Sequence, residues 1–383
     1  MRTLDSLGDI DGKRVLVRVD FNVPIQDGKV RDDARMRRAL PTLEELRERG
    51  AKLLLVSHFG RPKDHEPEFS LKPVAERTSK LLHTDVVLAP TIDEVPDDAD
   101  VVMLENIRYE PGETKNDPEL AKRLAGLADY YVNDAFGTSH RAHASTAGIV
   151  DFVEHSAAGL LFQSEVDTIR LIMNHPDRPF LAIMGGAKVT DKIGVIDRFL
   201  ELADKILIGG AMATPFLAAL GHSTGDSLCE EEGIKHARES LKHDDYPNGK
   251  LVLPEDLVLA EGFSDEGDTK ILNGVDVPDG WMQLDIGPRT RTRYVAEIRE
   301  ARTIFWNGPI GAYEFKSFAA GSLAIGQALA ASEDITVVGG GDSGAAMRDF
   351  GLAHSVTHLS TGGGASLKLI EGTDLPGLKA LSS

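Results

Sequence analysis

Four glycine clusters each close an apolar run, and no other feature of this chain restricts its fold as tightly. Gly185-Gly186 ends the run 179–184, Gly209-Gly210 the run 205–208, Gly339-Gly340-Gly341 the run 334–338 and Gly362-Gly363-Gly364 the run 355–361. A β-rich run that ends in glycine and leads into a helical pattern places bare backbone N–H groups at the carboxyl edge of a parallel sheet. An anion can approach closely there. Phosphate binding is the first inference.

At 383 residues the chain exceeds one ordinary core, so two domains are expected. Residues 14–21 alternate as a strand, 40–46 have helical apolar spacing and 52–56 form a second β-run, which together make a βαβ unit. The series continues through a helix near 72–82, strands near 86–88 and 101–104, a helix near 120–128 and a strand at 130–133. This is the pattern of a parallel sheet covered by helices, an α/β fold. Leu160, Leu161, Val166, Ile169, Ile172 and Met173 give 159–174 helical spacing, and this helix is expected to join the domains. A second alternating series runs to about 370, and the apolar tail 375–381 is expected to dock. The domain boundaries read as 1–157, 158–175 and 176–364, with the tail 365–383 returning to the first domain.

Acidic residues outnumber basic ones by 61 to 42, a net charge of −19 that opposes binding to nucleic acid or to an anionic membrane. Small anionic substrates then require local positive pockets. The acidic excess would also suit a salt-rich cytoplasm, where surface repulsion is screened. No apolar run approaches the roughly 18 residues of a membrane helix. The start Met1-Arg2-Thr3-Leu4-Asp5 lacks the apolar stretch of a signal peptide, so a cytoplasmic protein is expected. Cys229, the single cysteine, excludes an internal disulfide and reads as a small buried hydrophobe.

In the first half, 18–24 turns polar as its strand ends, which brings Asp20 and Asn22 to one face. Ser57-His58-Phe59-Gly60-Arg61 repeats the pattern of strand end, glycine and basic residue. Arg108 follows the strand 101–104 and Arg141 the strand 130–133. In a parallel sheet such loops share one edge, so they build a basic pocket in an acidic protein. Guanidinium forks match phosphate and carboxylate oxygens. His140 and His143 have zinc-like spacing but no further ligand to complete a site.

In the second half, Gly185-Gly186-Ala187-Lys188-Val189-Thr190-Asp191-Lys192 offers N–H groups and two lysines at a helix start, but it lacks the Gly-Lys-Ser/Thr of a P-loop. Gly339-Gly340-Gly341-Asp342-Ser343-Gly344 formally satisfies G-x-G-x-x-G. The acidic residue that would hold a ribose in a dinucleotide site is missing, and Asp342 among the glycines points instead to a Mg²⁺-nucleotide. Glu314, beyond the rigid loop that begins Trp306-Asn307-Gly308-Pro309, is a candidate for ribose hydroxyls.

Taken together these motifs resemble the phosphoglycerate kinase family over essentially the whole chain. Arg-Val-Asp-Phe-Asn-Val-Pro at 18–24, Ser-His-Phe-Gly-Arg-Pro at 57–62, Asn-Asp-Ala-Phe-Gly-Thr-Ser-His-Arg-Ala-His at 133–143, Gly-Gly-Ala-Lys-Val at 185–189, Trp-Asn-Gly-Pro at 306–309 and Gly-Gly-Gly-Asp at 339–342 carry the resemblance. It implies two Rossmann-like lobes facing across a cleft, and reversible phosphoryl transfer between 1,3-bisphosphoglycerate and Mg-ADP, giving 3-phosphoglycerate and ATP, in glycolysis and gluconeogenesis. By resemblance, Asp20 and Asn22, with Phe21 between them, orient the glycerate. His58, Arg61, Arg108 and Arg141, with Phe59 and Gly60 in the same loops, hold the phosphate that is not transferred. Arg35 lies beside the reacting carboxyl group and Lys192 follows the moving phosphoryl group. Gly186, Lys188, Asn307, Pro309 and Glu314 contact the nucleotide, and Gly340, Gly341, Asp342 and Ser343 form the phosphate and Mg²⁺ loop. Ala211, where the family often has glycine, and Ser343, where it has threonine, are modest departures. A monomer that closes about the helix 159–174 is expected. A dehydrogenase using 339–344 and a catalytically silent nucleotide sensor are the competing classes.

Overall fold

The computed structural model describes residues 1–187 and 190–382. Its contacts divide the chain within one helix, into a unit of Met1–Asp167 together with the segment from Gly372, and a unit of Thr168–Glu371.

Unit 1 follows the expected alternation. In chain order it comprises β1 (Arg14–Arg18), β2 (Ile25–Gln26), β3 (Lys29–Val30), α1 (Ala34–Glu48), β4 (Lys52–Val56), α2 (Lys72–Leu82), β5 (Val87–Ala89), β6 (Val101–Leu104), α3 (Pro118–Ala125), β7 (Tyr130–Asn133), β8 (His155–Ala158) and the first half of α4 (Leu160–Asn174). A six-stranded sheet has the order β5-β6-β4-β1-β7-β8, with every pairing parallel. Its strands read as continuous apolar runs because helices cover both faces; Val15, Val17, Leu53, Leu55 and Val132 are buried in one core. The chain passes from β1 to β4, runs out to β5 at the edge, comes back to insert β6 between β5 and β4, and then crosses to place β7 on the other side of β1. The carboxyl end of β1 is therefore the topological switch point, where open α/β sheets bind ligands.

Two local differences matter. The strand expected over 14–21 ends at Arg18, which frees 19–24 as a loop. The helix expected from spacing at 40–46 begins at Ala34, whose N–H donates to Asp32 Oδ1 at 2.8 Å. Its first turn is mainly cationic and has no apolar stripe to read, so the spacing marks only its second half.

Unit 2 continues from α4 through β9 (Phe180–Met184), α5 (Ile193–Leu202), β10 (Lys205–Ile208), α6 (Ala213–Ala219), α7 (Glu231–His243), β11 (Leu251–Val252), β12 (Leu257–Ala260), β13 (Thr269–Leu272), β14 (Met282–Ile286), α8 (Pro288–Glu300), β15 (Thr303–Asn307), α9 (Ala320–Ala330), β16 (Ile335–Gly339), α10 (Gly341–Asp349), β17 (His358–Leu359) and α11 (Gly364–Ile370). Its parallel six-stranded sheet has the order β11-β10-β9-β15-β16-β17, with the switch point between β9 and β15. Leu181, Ile183, Ile304, Trp306 and Val338 lie in its core.

Between β11 and α8 the parallel alternation gives way to an antiparallel sheet of order β13-β12-β14, covered by Phe318. Apolar alternation has the same period in either sense, so the pattern did not distinguish them. The segment that rejoins unit 1 starts at Gly372, later than the 365 read from sequence, because α11 packs on α5. Beyond it α12 (Pro376–Ala380) docks through Gly377 N–H, which donates to Ser139 O at 3.0 Å. Cys229 is half-buried rather than enclosed.

Candidate active site

Every strand-end loop singled out in unit 1 comes from β1, β4, β6 or β7, whose carboxyl ends lie on one edge of a parallel sheet. Asp20, released by the early end of β1, accepts from Arg35 Nη1 at 3.0 Å, which fixes a guanidinium from the first turn of α1 against the β1 loop. Asn22 Oδ1 accepts from Gly60 N–H at 3.0 Å and joins the β1 and β4 loops. Asn106 locks the next pair. Its Oδ1 accepts from Phe59 N–H at 3.0 Å and its Nδ2 donates to Phe59 O at 2.7 Å. Arg108 donates to Gly60 O. The Phe21 side chain belongs to the core, and its N–H donates to Ser57 Oγ at 3.0 Å.

The charges are unusual for their burial. Arg18 is 1 % exposed; its Nε donates to Ser145 Oγ at 2.8 Å and its Nη2 lies 3.2 Å from His58 Nδ1. Burial first, then Arg18, Arg108, Arg35 and His143, hold His58 well below its usual pKa, so it is neutral at pH 7. Burial, followed by Arg18, Arg108, Arg141 and His140, takes His143 down to about 4. Burial, Arg18 and Arg141 depress Arg108, while Glu113 pulls it the other way. Arg61 and Arg141 are exposed at the rim. This edge is therefore a dense donor surface held together before any anion arrives.

In unit 2 the glycine clusters close β9, β10 and β16. Gly185 N–H donates to Asn307 O at 2.9 Å and Gly186 N–H to Pro309 O at 2.8 Å, which ties the β9 and β15 loops together. Lys192 Nζ donates to Gly185 O at 2.7 Å and so sits at the seam. Ser343 Oγ accepts from Gly308 N–H at 2.6 Å, so its hydroxyl braces the β15 loop from inside α10. Glu314 is exposed beside Tyr313, whose hydroxyl is raised by burial and by Asp349, Asp342 and Glu314. Lys188 lies outside the described residues.

Asn307 is 2 % exposed, yet its Nδ2 has no hydrogen-bond partner. It stands 3.0 Å from where a Cβ on Gly340 would project, beside a turn held at φ 90°. A Cβ on Gly341 would meet nothing within 4 Å, so the N-terminus of α10 opens on free space. An orphaned amide donor beside an open helix N-terminus fits phosphate oxygens. Asp342 is exposed on the first turn of α10. Among the described residues no cluster of three or more His, Cys, Asp or Glu side chains is placed to hold a metal unaided. One carboxylate completed by phosphate oxygens is how Mg²⁺ binds with nucleotides, so the donor set fits that ion.

Arg18, Glu113, Ser145 and Asn106 were missed as members of the site. Arg18 did leave a signal, since a charge inside an apolar β-run must be paired or misplaced; Glu113 and Ser145 lie in polar stretches that offered none.

A family model described as phosphoglycerate kinase matches residues 4–373. A phosphoglycerate kinase of Thermosynechococcus vestitus is 47% identical over 390 aligned residues, covering 98% of this chain and 97% of its own. Among solved structures, phosphoglycerate kinase from Coxiella burnetii matches with a TM-score of 0.90 at 39% identity, covering 99% of this chain and 98% of that one. The enzyme from Pyrococcus horikoshii matches with a TM-score of 0.85 at 31% identity, covering 100% and 98%.

Proposed function

The chain belongs to the phosphoglycerate kinase family and is a phosphotransferase with a carboxyl group as acceptor; from this premise we propose that unit 1 holds the phosphoglycerate and unit 2 the nucleotide. The reaction is reversible phosphoryl transfer between 1,3-bisphosphoglycerate and ADP, giving 3-phosphoglycerate and ATP.

One observation carries the division of labour. The cations of unit 1 converge on a single sheet edge around the Asp20–Arg35 pair, whereas the open glycine turn and the orphaned Asn307 amide lie in unit 2. In this reading Asp20 and Asn22 orient the glycerate, and His58, Arg61, Arg108 and Arg141 hold the phosphate that stays, within the loop of Phe59 and Gly60. Arg35 faces the carboxyl group that gains or loses phosphate. Gly186, Lys188, Asn307 and Pro309 frame the nucleotide, and Glu314 takes its ribose. Gly340, Gly341 and Ser343 offer backbone donors to its phosphates, with Asp342 as the protein's ligand to Mg²⁺. When bound there, the ion supplies positive charge to the phosphate oxygens.

Phosphoryl transfer asks a protein for alignment and for positive charge around the equatorial oxygens. Arg35 supplies charge from the acceptor side and Lys192 from the nucleotide side. A carboxylate acceptor is already ionised at neutral pH, so no general base is required. Direct in-line transfer requires the two half-sites to be brought together during turnover, and excluding water at that moment prevents hydrolysis of the acyl phosphate. Arg35→Ala is expected to lower kcat by about 10²- to 10³-fold, the scale of one lost charge-stabilising donor. Binding of 3-phosphoglycerate, measured by calorimetry, should change far less. An unchanged kcat would refute the role of Arg35.

A further inference from the structure

The buried chain behind His58 has no role in the reading above. Glu113 is 1 % exposed and faces a backbone and a side-chain donor of the same residue: Oε2 accepts from Ser145 N–H at 2.9 Å and Oε1 from Ser145 Oγ at 2.7 Å. Ser145 Oγ in turn accepts from Arg18 Nε at 2.8 Å. The far side of the Arg18 guanidinium reaches His58 Nδ1 at 3.2 Å. Arg18 Nη1 donates to Val19 O at 2.5 Å, so all three guanidinium nitrogens are committed.

We propose that Glu113 and Ser145 are positioning residues that aim Arg18 at His58 Nδ1 and thereby fix the imidazole with its proton on Nε2. A guanidinium has donors and no acceptor, so the nitrogen that faces it must offer a lone pair. Asp20 Oδ1 stands 3.9 Å from the same Nδ1. If Arg18 moved, that carboxylate would draw a proton onto Nδ1, and Nε2 would turn a lone pair toward any anion in the pocket. The permanent charges of Arg35 and Arg108 also oppose protonation of the ring to the cation. His58 is thereby kept a neutral donor of fixed direction, for which the identity of the protonated nitrogen matters more than net charge. The consequence for substrate rests on the reading that His58 holds the phosphate that is not transferred.

The test compares wild type with Glu113→Gln and Ser145→Ala, each first shown to keep the native amide spectrum. Two-bond ¹H–¹⁵N correlations of the ligand-free protein at pH 7 report which His58 nitrogen carries the proton. Wild type is expected to show Nδ1 unprotonated, and both variants a population with the proton on Nδ1. Glu113→Gln also reverses a naive expectation. Removing a negative charge near a phosphate site should tighten anion binding by Coulomb's law alone, whereas loss of positioning should weaken 3-phosphoglycerate binding about tenfold, the scale of one charge-assisted hydrogen bond. An unchanged tautomer in both variants, or tighter binding in Glu113→Gln, would overturn the proposal. A shifted tautomer with unchanged 3-phosphoglycerate affinity would instead refute the placement of the phosphate on His58.

Discussion

Replacing Gly185 with alanine should disrupt the nucleotide half-site by breaking the fold beneath it. The new Cβ would stand 2.2 Å from Pro309 O and 2.6 Å from Gly308 O. Both are backbone atoms, so the β15 loop must retreat by about 1 Å to reach ordinary contact. That movement pulls against Gly185 N–H to Asn307 O at 2.9 Å and Gly186 N–H to Pro309 O at 2.8 Å. Two weakened backbone bonds at about 1 kcal/mol each and overpacking of about 2 kcal/mol sum to about 4 kcal/mol. This corresponds to roughly 10 °C in the melting temperature of a unit of this size. Gly341→Ala is the matched control. Nothing lies within 4 Å of its Cβ and the position is helical, so stability should hold within about 0.5 kcal/mol. The methyl group would nevertheless occupy the space assigned to phosphate, and ADP affinity should fall about tenfold or more. Chemical denaturation and calorimetry with ADP read the two effects separately. Wild-type stability in Gly185→Ala would refute the packing argument, and wild-type ADP affinity in Gly341→Ala would refute the assignment of phosphate to the start of α10.

Two further outcomes follow from buried and exposed carboxylates. Burial raises Asp134 to about 7 from 3.8, so its contribution to stability is complete below about pH 4 and is lost as pH rises through about 7. Asp134→Asn removes that loss, and its stability relative to wild type should improve by about 3 kcal/mol between pH 5 and pH 9 in denaturant titrations; a pH-independent difference would show that Asp134 does not titrate there. The opposing acid-side loss from His143, held down to about 4, is common to both proteins and cancels. Asp342→Asn should weaken ADP binding about tenfold in Mg²⁺ and leave it equal or tighter in EDTA; the same loss in both conditions would refute Asp342 as the ligand to the ion.

The strand-end loops could be read from sequence because glycine, proline and polar side chains interrupt apolar runs where parallel strands stop. Asp20, His58, Arg108 and the clusters at 185–186 and 339–341 stand at such interruptions. Arg35 was placed by resemblance alone, since the cationic first turn of α1 has no apolar period. The antiparallel sheet of β12, β13 and β14 was hidden because period-two alternation carries no sign of strand direction. Ser343 was assigned to the phosphate loop, yet its hydroxyl turns inward to Gly308, a choice set by tertiary packing that no local pattern records. The chain from Glu113 through Ser145 to Arg18 links residues 127 positions apart in sequence at its last step, beyond the reach of periodicity.

Phosphoryl transfer itself is tested most directly by mixing the protein with Mg-ATP and 3-phosphoglycerate and following acyl-phosphate formation through a downstream reductive step, alongside Lys192→Ala. Lys192 Nζ sits on Gly185 O at the seam of the two glycine loops. Wild type should turn over in a substrate-dependent manner, and Lys192→Ala should still bind ADP while losing at least about 10²-fold in kcat. Full turnover in Lys192→Ala, or a folded wild type that binds ADP and transfers nothing, would contradict the account.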